Sequence, residues 1–312
     1  NQFGIAIYPI SQGKNWGYGS KVPWQSDCII LSLQNMNKIL EYSEDLAFIT
    51  IEPGVSFEQV HIRNRKKGDK LRNCMIGTSP QASVIGNILE KGVATGLYSN
   101  RILSFCNLKI VLPNSKLIYT GFSNKNAKLV KNLYRWGIGP SFDEIFIQSN
   151  FGIVTQMTIY LYPKLETFQL MVAILKPFEG GENAAPINYL RRLMLERTIN
   201  ICMLYNYNTF FPQAQHLPND KLTKTRSKEW VLVVPIYSPS TLQGKAVFKR
   251  IKTHLNQFAV KFTIINQFKA KLFNSISKII PYVSRLSIYV CINAFTNLLE
   301  EKPSTDYLKI AY

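Results

Sequence analysis

The sequence predicts an α+β protein of two domains that meet near residue 165. Three observations carry this reading. The 312 residues are 46% hydrophobic, enough for two ordinary cores at roughly 100–200 residues per domain. Up to residue 165, short apolar strands alternate with helices around glycine-rich turns. Beyond a linker-like stretch at 176–186, the pattern becomes two strand–helix units whose strands suit one antiparallel sheet.

Taken in order, residues 5–10 read as a core strand, 13–20 as a glycine loop and 28–33 as a second apolar strand. Residues 40–42 and 47–51 flank the polar turn Ser43-Glu44-Asp45 as a hairpin, which Glu52-Pro53-Gly54 ends. Ser56 and Gln59 form a capping box that opens a helix running to Gly68. Residues 83–90 make a second, short helix with Gly92 at C′. Residues 108–112 and 117–120 pair around Pro113-Asn114-Ser115, and 153–161 alternate as a strand ending at Pro163. The second domain then reads strand 169–175, helix 187–196, strands 201–205 and 230–236, helix 242–258 and strand 261–265.

Composition excludes several classes. Cys28, Cys74, Cys106, Cys202 and Cys291 stand singly, without C-x-x-C spacing or a secretory segment, which indicates reduced thiols and a cytoplasmic setting. His61, His216 and His254 have no second ligand at helical spacing, so no metal is expected. No apolar run reaches the ~18 residues of a membrane helix. The net charge of +18 gathers at Arg63–Arg72, around Lys221–Lys228 and at Lys245–Lys252. With no helix-turn-helix, RRM, KH or zinc-finger pattern, these clusters read as solvated faces, and nucleic acid is not an expected partner. The oligomeric state is not legible.

Three small-residue loops carry the functional signal. The first is Gly13-Lys14-Asn15-Trp16-Gly17-Tyr18-Gly19-Ser20 after a strand. It matches neither the Walker loop nor the Rossmann turn, and Pro23 works against a helix directly behind it. Consecutive glycines let backbone amides converge on an anion, with Lys14 and Ser20 as further donors. The second, Gly77-Thr78-Ser79 through Ser83, Gly86 and Asn87, feeds a helix N-terminus. The third runs from Trp136 to Asp143 and on through Gln148-Ser149-Asn150-Phe151-Gly152-Ile153-Val154-Thr155, where Gly152 allows close approach to a flat ring. Three such loops suit one long ligand spread across a domain.

These residues resemble the flavoprotein family of vanillyl-alcohol oxidase and the p-cresol methylhydroxylase flavin subunit. The resemblance rests on Pro9-Ile10-Ser11-Gln12-Gly13-Lys14-Asn15-Trp16-Gly17-Tyr18-Gly19, on Glu52-Pro53-Gly54-Val55, on Gly86–Gly92 and on the dense run from Gly137 to Thr155. It covers residues 5–165 in order. It implies a PCMH-type FAD-binding domain of two α+β subdomains at 1–165, and an α+β substrate or cap domain with an antiparallel sheet at 166–312. Carried over, Gly13, Lys14, Asn15, Gly17, Tyr18, Gly19 and Ser20, with Thr78, Ser79, Ser83, Gly86 and Asn87, would hold the FAD diphosphate. Gly152, Ile153 and Val154 would line the cofactor through their backbone. Tyr18 would stabilise a phenolate, or else simply pack in its loop. The resemblance also implies that an N-terminal segment and the end of the cap domain lie outside this chain.

Departures from the family pattern matter for activity. Thr78 stands where an acid would serve beside the flavin, Tyr98-Ser99-Asn100-Arg101 lacks the usual acid, and Lys14 replaces an arginine. The resemblance implies an FAD-dependent oxidoreductase that moves a hydride from an aromatic, phenolic alcohol or alkylphenol to flavin, with a small molecule as its partner. The alternative is a catalytically inactive fragment or degenerate FAD-binding relative.

Overall fold

The computed structural model describes residues 4–14, 21–23, 25–77, 79–94, 96–98, 100–125, 127, 130–177, 184–207, 228–266, 297 and 304. They divide into two compact units, Asn1–Ala94 with Tyr98–Lys164, and Thr95–Leu97 with Leu165–Tyr312.

The first unit opens with β1 (Ala6–Ile10) and β2 (Cys28–Ser32), a parallel pair in which Ile7 faces Ile29 and Pro9 faces Leu31. Ile5, Ile7, Ile29, Ile30 and Leu31 are exposed. The sequence predicts core strands here; apolar composition sets the strand but not whether its faces are covered, and a parallel pair normally needs cover on both.

A five-stranded antiparallel sheet follows, built from β3 (Ile39–Ser43), β4 (Phe48–Ile51), β6 (Phe105–Val111), β7 (Leu117–Tyr119) and β8 (Ile153–Tyr160), in the order β3-β4-β8-β6-β7. Between them lie α1 (Phe57–Lys66), β5 (Leu71–Arg72) and α2 (Val84–Leu89), and β9 (Tyr162–Pro163) pairs with β5. Cross-strand pairing sorts the sheet into two faces. Ile49, Ile51, Phe105, Met157 and Ile159 form a buried apolar face. The other face is polar where Thr50 meets Thr158 at 2.8 Å. There β6 bulges at Asn107, which takes a φ of +54°. The Asn107 amide donates to Asn132 Oδ1 (2.6 Å) and Thr158 Oγ1 (3.3 Å), while the Ser123 hydroxyl donates to Asn107 Oδ1. Strand and helix bounds otherwise follow the sequence reading within a few residues.

Helix α1 starts in the expected capping box: Gln59 N–H donates to Ser56 Oγ, and Ser56 N–H to Gln59 Oε1. Helix α2 ends differently from expectation. Lys91, with φ +52°, occupies the left-handed C′ position rather than Gly92. Lys91 N–H bonds Ile88 O and Gly92 N–H bonds Asn87 O, a complete Schellman motif. Glycine is needed at 92 because a Cβ there would strike Asn87.

The second unit is a four-stranded antiparallel sheet, ordered β11-β12-β10-β13, of β10 (Thr167–Leu175), β11 (Met203–Asn206), β12 (Trp230–Ser238) and β13 (Ala259–Asn266). Helices α3 (Ala185–Leu195) and α4 (Thr241–Leu255) bury Leu190, Leu193, Ile251 and Leu255 with Met171, Ala173, Leu232 and Val234. The mixed helix and antiparallel sheet content of both units is the α+β class.

Cys28, Cys74, Cys106 and Cys202 form no disulfide among the described residues. No cluster of metal-ligating side chains, and no helix long and apolar enough to cross a membrane, occurs among the described residues. Cys291 and His216 lie outside them. The basic clusters are partly neutralised: Arg72 pairs with Asp69, Lys70 with Glu44, and Arg250 with Glu196.

Candidate FAD-binding site

Four chain segments that are remote in sequence interlock in the first unit. The turn after β1 carries Ser11 and Gln12, and Gln12 Nε2 donates to Gly54 O at 2.6 Å. Gly54 N–H in turn donates to Met36 O (2.7 Å), and a Cβ at Gly54 would collide with the Gln34 and Met36 backbone. The Ser83 hydroxyl donates to Pro53 O (2.6 Å) and accepts Gly86 N–H (2.9 Å), so one oxygen caps α2 and ties it to the Glu52-Pro53-Gly54 turn. Val84 N–H to Val55 O repeats the tie. The circuit closes at Gly86, where a Cβ would stand only 2.6 Å from Ser11 Oγ.

The expected site residues therefore fall into groups. Gly13 and Lys14 follow directly on Ser11-Gln12, and Gly13 is left-handed with φ +59°. Asn15, Gly17, Tyr18, Gly19, Ser20 and Thr78 lie outside the described residues. Ser79 is engaged in its own turn, donating to Gln81 Oε1 (2.7 Å). Ser83 uses its hydroxyl proton on Pro53 O, and the Gly86 amide is taken by that cap. Ser83 thus positions α2, and Gly86 contributes the absence of a side chain. Because α2 has six residues, its dipole is short. Asn87 keeps a buried Oδ1 with no hydrogen-bond partner among the described residues.

The third loop is attached to the same helix. Gln148 N–H donates to Leu89 O (2.9 Å), and Gln148 Nε2 reaches Glu90 O (3.4 Å). From there the chain enters β8, where a Cβ at Gly152 would stand 2.5 Å from Ile110 Cγ2 and 3.0 Å from Val111 O. Ile153 pairs with Val111 and Val154 with Ile110, and the Val154 side chain is buried. Gly152, Ile153 and Val154 thus pack closely against β6, with Ile110 and Val111 filling the Cβ position of Gly152. Sequence reasoning missed Ser11, Gln12 and Gly54 as parts of the junction. Their signal was present in the Pro9–Gly13 and Glu52–Val55 motifs.

Asp143 lies within the third motif and is 1% exposed. Neither carboxyl oxygen completes a hydrogen bond among the described residues, although the Thr120 hydroxyl faces it. Burial pushes its carboxyl up to about 6, and Glu144 adds to this against the opposing pull of Arg135. Arg135 is held over Phe105 and pairs with Glu144 at 2.5 Å.

An FAD group fits these residues at the buried, unpartnered Asn87 Oδ1, an acceptor for a hydroxyl or amine donor of FAD, while the Cβ positions of Gly13 and Gly86 are taken up by Lys21 and by Ser11 and Ser83. Comparisons with known proteins agree. The FAD binding domain family matches residues 1–121. The chain is 45% identical over 163 residues to the 1'-carboxy-chondrochloren decarboxylase of Chondromyces crocatus, covering 52% of this chain and 30% of that protein. It is 31% identical over 204 residues to the 4-cresol dehydrogenase [hydroxylating] flavoprotein subunit of Pseudomonas putida, covering 64% of this chain and 38% of that one. The crystal structure of p-cresol methylhydroxylase with substrate bound superposes with a TM-score of 0.81 at 23% identity, over 99% of this chain and 59% of that one. The matches thus span under two-fifths of the curated relatives' length. FAD is the cofactor these matches support: residues 1–121 match the FAD binding domain family, and the chain is similar in sequence and fold to the p-cresol methylhydroxylase flavoprotein subunit.

Proposed function

We propose that the chain holds FAD across the junction of Ser11–Lys14, Pro53–Val55, Ser83–Asn87 and Gln148–Val154, and serves an FAD-dependent oxidation of a small aromatic substrate. The observation that carries this is the convergence of these four segments on Gly86 and α2. Bound FAD would supply acceptance of a hydride from a C–H next to oxygen or para to a phenol. The chain's own residues contribute placement: glycines give the backbone close approach, Gly152 sets a flat wall, and Lys14 brings positive charge to the loop. Tyr18 as the phenolate-stabilising group belongs to this proposal.

Anaerobic mixing of the FAD-loaded protein with 4-methylphenol or a 4-hydroxybenzyl alcohol tests the reaction. Bleaching of the flavin band with an equivalent of oxidised phenolic product is the expected result. Failure of every alkylphenol and phenolic alcohol to bleach a stoichiometric flavin would remove it.

The 45% identity to a decarboxylase favours a second reading. There the substrate is a carboxylate whose C–C bond breaks with release of carbon dioxide, and the electron pair left on carbon takes up a proton. Thr78 in place of an acid suits this reading, since no proton need be removed by that residue. Carbon dioxide released from aromatic carboxylates, with alkylphenols inert, would select it.

A further inference from the structure

We infer that Lys21 is an additional anchor for the FAD diphosphate, a role that rests on the FAD reading above. Its side chain folds back across Gly13: a Cβ at Gly13 would stand 2.6 Å from Lys21 Cε, 2.7 Å from Cγ and 3.2 Å from Cδ. The φ of +59° favours glycine at 13, and Lys21 lies over the face where a Cβ would stand. The aliphatic stem covers backbone, and the ammonium, one bond beyond Cε, is delivered to the same edge.

That edge adjoins the junction. Ser11 lies two residues before Gly13, and two residues of chain span at most about 7 Å. The Lys21 stem over Gly13 and the Ser11 hydroxyl against Gly86 thus belong to neighbouring residues of one turn. The ion pairs of the first unit engage Lys70, Arg72, Lys131, Arg135 and Lys164; none involves Lys21 among the described residues. A cation with no ion-pair partner among the described residues, held against Gly13, suits phosphate oxygens through charge-assisted hydrogen bonds. Lys14 is a point charge where the family pattern has the arginine fork, and a second lysine restores the missing donors.

The test compares wild type, Lys21→Gln and Lys21→Arg in binding FAD and riboflavin, read by quenching of flavin fluorescence, with folding checked by circular dichroism. Lys21→Gln should weaken FAD about tenfold and leave riboflavin, which has no phosphate, within about twofold. Lys21→Arg should keep wild-type affinity. The salt dependence of FAD binding should be shallower in Lys21→Gln than in wild type. Unchanged FAD affinity in Lys21→Gln, or an equal loss for both flavins, would overturn the role of Lys21 while leaving the FAD site standing. A folded wild type that binds neither flavin overturns the FAD site itself.

Discussion

Asp143 carries its carboxyl where an ionised group has little compensation, and its proton is linked to stability. The unfolded chain releases this proton near pH 4, the folded chain only near 6. Across that window the folded state keeps a proton the unfolded state has lost, so the group's contribution to stability declines as pH rises. Asp143→Asn should flatten this decline and raise stability above pH 6 by about 2–3 kcal/mol, read from urea unfolding at pH 4 and pH 7. A variant with the same pH slope as wild type would contradict it. Thr158 presents the opposite case, a buried polar group fully engaged with Thr50, Asn107 and Asn132. Thr158→Val should cost about 2 kcal/mol by leaving those partners unmatched. The Thr158 environment was not legible in the sequence, because its contacts join residues 26 to 108 positions apart, and for Asp143 no local spacing announces burial. The glycines were legible as small residues, but not their reasons: the Gly86 requirement comes from Ser11.

At the scale of elements, what the sequence made readable is what local spacing encodes. The Ser56–Gln59 capping box needs only an i, i+3 relation, and the structure contains both of its hydrogen bonds. The hairpins around Ser43–Asp45 and Pro113–Ser115 are similarly local. The end of α2 was misread because a glycine near a helix end suggests the left-handed position. Here Lys91 accepts that conformation and Gly92 is reserved for contact with Asn87. The two helix caps predict different consequences. Ser56→Ala should cost about 1 kcal/mol and leave FAD affinity unchanged. Ser83→Ala removes a cap and the donor to Pro53 O together, so it should cost about 2 kcal/mol and also weaken FAD, because α2 keeps only the Val84–Val55 backbone tie to the Gly54 turn. Thermal unfolding and flavin titration of both variants separate these roles. Equal flavin affinities in the two variants would contradict the positioning role of Ser83.

For the whole molecule, each unit has its own sheet and core, and the order of strands and helices in both was readable from periodicity. Coverage was not: the apolar residues of β1 and β2 are exposed, which no pattern of hydrophobic residues can announce. The charge of +18 favours an anionic ligand over a neutral one, and FAD affinity should fall as salt rises. The central claim is that this chain carries an FAD site built where its motif segments converge on α2. Titrating FAD with the purified, folded chain tests that most directly. The account predicts saturable quenching of flavin fluorescence at one FAD per chain, weakened by Gly86→Leu, which forces a side chain against Ser11. A folded chain that leaves free FAD fluorescence unchanged at every concentration would contradict it.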